Sequence, residues 1–240
     1  MVAHKKHGMG NHERASGILF TTSTPSKIQQ SANTLLGILD ALFDRDAEVQ
    51  FNAPNATASS VSDAISEELS QLSRVSKRFW FGGELSRGIG LIGVQRGSVP
   101  SDVVHQVLLG KLPGQPPMFL SRIIPIDFVS APNIQSFSNT LLPVIKSHFE
   151  SLSLDHTWKL VLDKHGLTNI SKEGLLQLLQ EVIPERHEVS IHEPEIVVMV
   201  QITQRMCGVS FLKDYDLLCE YNIRKLILQR NSTSDSSIAC

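Results

Sequence analysis

The sequence predicts an α+β protein of two units, each a small sheet carrying helices. Three observations lead there. Short apolar segments of strand length alternate with segments whose apolar residues recur at helical spacing. A proline-rich stretch from Leu112 to Pro132 interrupts that alternation, and proline excludes helix there. Late in the chain, Ile196 to Val200 is a continuous apolar run of mostly β-branched residues, and Cys207 to Leu212 is apolar again. The first run suits a strand covered on both faces. The two together read as an antiparallel pair in the middle of a sheet, joined by a polar turn over Gln201 to Met206, with Gly208 as a bulge or a close backbone contact.

Taken in order, Met1 to Ala15 is polar and His-rich, buries no core and reads as a disordered lead. Gly17-Ile-Leu-Phe-Thr-Thr22 is a strand. Thr24 and Pro25 supply an N-cap candidate and a proline at the first helical position. Ile28, Ala32, Leu35, Leu36, Leu39, Leu42 and Phe43 then recur at helical spacing, so one amphipathic helix is expected from Pro25 to about Asp44. Residues 48–60 read as a loop, and Ile65, Leu69, Leu72 and Val75 as a second helical stripe behind a capping pattern at Ser60 to Asp63. Phe79-Trp-Phe81 and Leu91 to Gln95 are strands. The join between them holds Gly82, Gly83, Gly88 and Gly90 but lacks the Gly-Lys-Ser/Thr ending of a phosphate loop, and it connects two strands rather than a strand and a helix. Pro100 opens a helix with Val103, Val104, Val107 and Leu108 inward and His105 packing beside them. Apart from the extra helix, this order begins a ferredoxin-like unit, which a strand over Ile123 to Phe128 closes.

The expected division is a first unit over 16–111, a linker over 112–119 and a second unit over 120–228. In the second unit Phe137, Leu141, Ile145 and Phe149 form a helical stripe that Pro143 kinks or delays. Thr157 to Asp163 alternates, with Trp158, Leu160 and Leu162 on one face, and Lys164 to Asn169 reads as a polar loop. Ser171 to Ile183 is a helix with Leu175, Leu178, Leu179 and Val182 inward, and His187 to Ile191 a short strand. Residues 229–240 are Ser-rich and read as a disordered tail.

Composition narrows the function classes. The net charge is −2, from 22 basic and 24 acidic residues, so any basic surface must come from asymmetry. Cys207, Cys219 and Cys240 have neither metal-ligand spacing nor an even disulfide framework, which fits a reducing intracellular compartment; the location expected for the chain is nucleus, nucleolus or cytoplasm. No apolar stretch approaches a membrane span, and the N-terminus lacks the apolar segment of a signal peptide. No catalytic motif is present. Cys207 lies in an apolar strand, a setting for burial rather than for a reactive thiolate. His192, Glu193 and Glu195 flank a turn and read as surface rather than as a metal site. The residues therefore point to a binding module without catalytic residues, metal or cofactor.

The second unit, Thr157 to Leu226, resembles a THUMP domain, that of the THUMP-containing tRNA acetylation adaptors. The residues carrying this are Glu195-Ile-Val-Val-Met-Val200, Cys207-Gly-Val-Ser-Phe-Leu-Lys-Asp-Tyr215 and Tyr221-Asn222. Leu120-Ser-Arg-Ile-Ile-Pro125, Val99-Pro100 to Leu108 and the strand at Gly17 are similar to earlier segments of the same family, so the likeness spans Gly17 to about Leu226. It implies a ferredoxin-like domain followed by a THUMP domain. It implies a non-catalytic adaptor that binds tRNA and assists an RNA cytidine acetyltransferase in forming N4-acetylcytidine in the D-arm of serine and leucine tRNAs, with neither DNA nor membrane as partner. Such a module reads shape, phosphates and the 3′ end rather than paired bases. The candidate phosphate contacts are Arg122, Lys164, His165, Arg205, Lys213, Arg224 and Lys225. Relatives are more basic around the segment Asp163 to Asn169, which keeps a second reading open: a protein-interaction module on the same scaffold with weak RNA binding of its own. A tRNA methyltransferase or thiolation enzyme would need a further catalytic domain.

Overall fold

The computed structural model describes residues 16–43, 78–110, 112–166 and 168–236. The expected lead over 1–15, the loop over 48–60 and the helical stripe from Ile65 to Val75 lie outside the described residues. The first sheet contains β1 (Gly17–Thr22), β2 (Phe79–Ser86), β3 (Ile89–Val94) and β4 (Leu120–Ile126) in the order β2-β3-β1-β4. Every neighbouring pair is antiparallel. Helix α1 (Ile28–Phe43) follows β1 after a 3₁₀ turn at Pro25–Lys27, and α2 (Pro100–Leu109) follows β3. This is the ferredoxin-like arrangement. Thr24 contributes no side-chain cap, so the start of the first helix rests on Pro25, whose fixed φ presets the turn.

Two glycines of β3 serve packing. Gly90 sits opposite Phe20, and a Cβ on it would lie 2.4 Å from the buried Phe20 ring. Gly93 opposes Trp80, whose indole would meet a Cβ at 2.2 Å. Aromatic rings lie across both glycines, a close approach that only a hydrogen side chain permits.

Leu120–Ile126 pairs with β1, so it closes the first sheet. A boundary at 112–119 would assign this strand to the second unit; the closing-strand reading describes the pairing better, with its start moved to Leu120. Pro125 is tolerated because β4 is an edge strand.

The second sheet contains β5 (Phe128–Ser130), β6 (Trp158–His165), β7 (Ile196–Thr203) and β8 (Cys207–Leu212), in the order β5-β8-β7-β6. It is mixed: β6 and β7 are parallel, the other pairs antiparallel. All of β7 is buried. Ile196, Val198, Val200 and Ile202 join the core under α3 (Ile134–Thr140), α4 (Leu142–Ser151) and α5 (Lys172–Val182), whereas Val197 and Met199 join the core of the first sheet. Being covered on both faces explains the unbroken apolar run. Gly208 is a close contact and not a bulge: its register is continuous, and a Cβ would lie 2.7 Å from Ile126 Cγ2. Pro143 is the second residue of α4 and marks a late start after the break at Leu141. Ser171 caps α5 by accepting from the Gly174 N–H at 3.0 Å.

Three expectations change. The polar loop at Lys164 begins later, because Lys164 and His165 continue β6 opposite Ile202 and Thr203; parallel ladder bonds hold polar residues here. Correspondingly β7 runs to Thr203. His187 to Ile191 is not a strand: a single bridge joins Val189 to Trp158, and the buried His187 instead accepts from the His156 N–H through Nδ1 at 3.1 Å. The tail is ordered to Ser236, since α6 (Ile223–Ser236) includes 229–236. Arg230 donates to the carbonyls of Leu108 at 2.6 Å and Gly110 at 3.1 Å, placing a cation where the last carbonyls of α2 lack helical donors.

Candidate nucleic-acid interface

Strand direction brings the cations together. The end of β1 meets the β2–β3 turn through Thr22 N–H to Gly88 O at 2.9 Å, and Arg122 at the start of β4 donates its N–H to Thr21 Oγ1 at 3.1 Å. The β7–β8 turn reaches the same end, where Arg205 Nη1 lies 3.5 Å from Glu84 O on β2. Arg224, in the first turn of α6, donates to Met118 O at 2.9 Å, just before β4. Asn222 bridges to Arg122 and accepts the Lys225 N–H at 3.0 Å, so exposed Lys225 is also here. Six of the seven expected residues thus share one end of the two sheets: Arg122, Lys164, His165, Arg205, Arg224 and Lys225.

Their environments differ. Arg122 Nη2 is 2.6 Å from Glu220 Oε2, and both are partly exposed. His165 Nε2 is 3.0 Å from Gln201 Oε1 and 3.5 Å from Asp163 Oδ2. Burial alone lowers the His165 pKa, but the Asp163 hydrogen bond and charge outweigh it and hold it above the usual imidazole value. The same bond holds the Asp163 carboxyl below its usual range. Lys164, one residue along β6, points to the other face, and its Nζ donates to Ile170 O at 3.3 Å. Arg87 is exposed in the β2–β3 turn. In sequence it stands alone beside glycines; the hairpin turn sets it at the end of β2 that Arg205 reaches through Glu84 O.

Glu220 sits in an unusual turn. Cys219, Glu220 and Tyr221 all have positive φ, at 53°, 57° and 60°, a left-handed path that costs non-glycine residues. Three side chains brace it: Glu220 through Arg122, Tyr221 through its hydroxyl to Lys213 O at 3.1 Å, and Cys219 through Sγ to Gln229 Oε1 at 2.7 Å.

Lys213 does not join the other six. Arg205 precedes β8 and Lys213 follows it, so the strand separates them by roughly 20 Å at about 3.3 Å per residue. Lys213 instead lines a cleft of about 700 Å³ between α2 and the second sheet, with Asp102, Asp127, Glu195 and Asp214. Asp127 is the one residue between β4 and β5. It accepts the Ser101 N–H at 2.9 Å and donates its own N–H to Val209 O at 3.1 Å. Burial pushes its carboxyl up to about 6. His105 pairs with Asp214 at 3.1 Å and His156 with Glu195 at 3.3 Å. His148 stacks on Phe211 with ring centres 3.6 Å apart; burial, then Lys213 and His156, lower its pKa.

Cys207 is buried, and burial pushes its thiol up to about 12, far from a thiolate nucleophile. Glu195 accepts the Thr157 N–H at 2.9 Å, which holds its carboxyl low. Among the described residues no group of three or more His, Cys, Asp or Glu is placed to hold a metal ion, and no helix is long and apolar enough to cross a membrane.

No family model matches the sequence, and no curated protein matches it. Among solved structures, the chain is similar to PH1313 from Pyrococcus horikoshii Ot3 at 12% identity and TM-score 0.45, over 82% of this chain and 55% of that one. It is similar to a 4-thiouridine synthetase solved as an RNA complex with bound ATP, at 10% identity and TM-score 0.41, over 83% of this chain and 42% of that one. It is also similar to TrmN from Thermus thermophilus at 13% identity and TM-score 0.35, over 62% of this chain and 41% of that one. The chain therefore spans about half the length, or less, of the structures it matches.

Proposed function

We propose that this protein is a non-catalytic tRNA-binding adaptor that assists an RNA cytidine acetyltransferase in forming N4-acetylcytidine in the D-arm of serine and leucine tRNAs. The observation that carries the reading is the coincidence of two features. The Cys207 to Tyr215 segment resembles the THUMP acetylation adaptors in sequence, and six cationic candidates meet at one end of the fold that this segment helps to build. In this reading Arg122, Arg205, Arg224 and Lys225, joined by Arg87, face phosphates. His165 adds charge when protonated, and Lys164 contacts RNA from the helix side of β6. Phosphate contacts of this kind position a folded RNA without reading paired bases. The acetyl transfer belongs to the partner.

The test is a gel shift with purified protein and serine tRNA over a salt series, together with N4-acetylcytidine in tRNA from cells lacking the protein. The reading expects binding that weakens steeply with salt and loss of the modified base. Unchanged N4-acetylcytidine overturns it. One observation favours the alternative, a protein-interaction module with weak RNA binding: Arg122 and His165 already engage Glu220 and Asp163. Recovery of the acetyltransferase after RNase treatment, without any tRNA shift, would select that alternative.

A further inference from the structure

At the start of β6 the surface has the opposite character. Two loops, 152–157 and 184–195, are laced together here. Arg186 donates to Leu152 O at 2.6 Å and pairs with Asp155 at 3.7 Å, and Ser190 N–H donates to Trp158 O at 2.8 Å. These bonds fix the loops, yet they present apolar side chains to solvent: Leu154 is 69% exposed, Ile191 76% and Val189 43%. Exposed carboxylates surround them: Asp155, Glu185, Glu188, Glu193 and Glu195, with Arg186 the one permanently charged cation of the two loops. Through His156 and Glu195 this lip continues into the acid-rich cleft, whose far wall exposes Val99 and Phe128.

An RNA backbone is repelled by such a rim. An aqueous surface gains nothing by holding three large apolar side chains out on braced loops, whereas a partner does. We propose that this lip is a docking surface for a protein partner whose contact is apolar at its centre and rich in Lys and Arg around it. The apolar centre supplies burial, and the carboxylate rim selects charge and orientation. The adaptor then has two separate faces, RNA at the cationic end and protein at the acidic end. This rests on the adaptor reading above for the choice of probe.

The probe is the purified RNA cytidine acetyltransferase, titrated against the full chain after RNase treatment, with serine tRNA binding measured in parallel. The variants are Leu154→Ser with Ile191→Ser, and Glu185→Lys with Glu188→Lys. All four residues are exposed, so melting temperatures should match the wild type. The expected result is acetyltransferase binding weakened about tenfold or more in each pair, with tRNA affinity unchanged or, for the lysine pair, raised. Wild-type acetyltransferase binding that the variants leave intact overturns the lip while the adaptor reading stands. Wild-type binding of tRNA without acetyltransferase overturns the lip and leaves the RNA half of that reading. Binding of neither overturns both. Reduced tRNA binding in the serine pair would make RNA the occupant, and a wild-type dimer split by that pair would make it a second copy; either result overturns the proposal.

Discussion

Arg122 on β4 and Glu220 in the left-handed turn before α6 meet at 2.6 Å, joining the edge of the first sheet to the segment that launches the last helix. The pair has two consequences that separate on mutation. Glu220 is held in a strained turn by a cation that the RNA reading also needs. Glu220→Gln keeps a neutral acceptor near Arg122 and removes the competing charge. It should raise serine tRNA affinity several-fold and steepen its salt dependence by a fraction of one ionic contact. Arg122→Ala should lower both RNA affinity and stability, the latter by about 1 kcal/mol for a partly exposed charged pair. Filter binding across a salt series and thermal denaturation read the two effects.

Lys213 and Arg205 bracket β8 and should behave differently. Arg205→Glu is expected to weaken tRNA binding about tenfold, while Lys213→Glu, in the acidic cleft, should change it less than about twofold, since removal of one phosphate contact is felt only where phosphates lie. Equal losses would place RNA in the cleft.

The His165–Asp163 pair makes RNA affinity depend on pH. The His165 pKa is raised in the folded chain, so its positive charge and the stability it contributes are fully present below the ordinary imidazole value near 6.5. Both are lost as pH rises through the higher folded value. Affinity for tRNA should therefore fall between about pH 6 and pH 8, and His165→Gln should flatten that fall in a titration at constant ionic strength.

Asp127 changes stability with pH in the same direction, over a more acidic window. Its carboxyl is raised to about 6 by burial, against about 3.9 when unfolded. Between those values the folded chain holds more protons than the unfolded chain, so stability declines as pH rises from about 4 to about 6. Asp127→Asn keeps an acceptor for the Ser101 N–H and removes the buried charge. It should stabilise the protein at pH 7.5, on the order of 1–3 kcal/mol, and much less at pH 4.5, as denaturant melts at the two pH values would show.

Gly90→Ala tests the packing reading of the glycine-rich hairpin. The new methyl meets the fully buried Phe20 ring, which has no room to turn, so a loss of about 1–3 kcal/mol is expected from overpacking. A change in nucleotide binding with unaltered stability would instead revive the phosphate-loop reading.

Much of this architecture is legible in residue order, because it rests on short-range rules. The unbroken β-branched run in β7 announces its two covered faces, while Pro143 leaves a kink or a late start open before α4 and Gly208 leaves a bulge or a close contact open, each decided only by the fold. What escaped is what two distant segments decide together. Lys164 and His165 look like loop because they are polar; pairing with Ile202 and Thr203 makes them strand. Residues 229–236 look like a tail because they are serine-rich; Arg230 anchors them to the end of α2. Lys213 looks like its motif neighbours in sequence, and only the direction of β8 sends it to the acidic side. Of the candidate site, the residue types were readable, but their pairing with Glu220 and Asp163 was not, since those partners come from other strands and turns.

The single residue that separates β4 from β5 has a practical meaning for anyone wishing to dissect the molecule. Cutting the polypeptide in the proline-rich stretch would deliver β4 with the wrong half, leaving Ile123 and Ile124 without a neighbour and β1 with a bare flank. Neither product should be recoverable as a well-behaved fragment; the two lobes travel through purification as one indivisible piece.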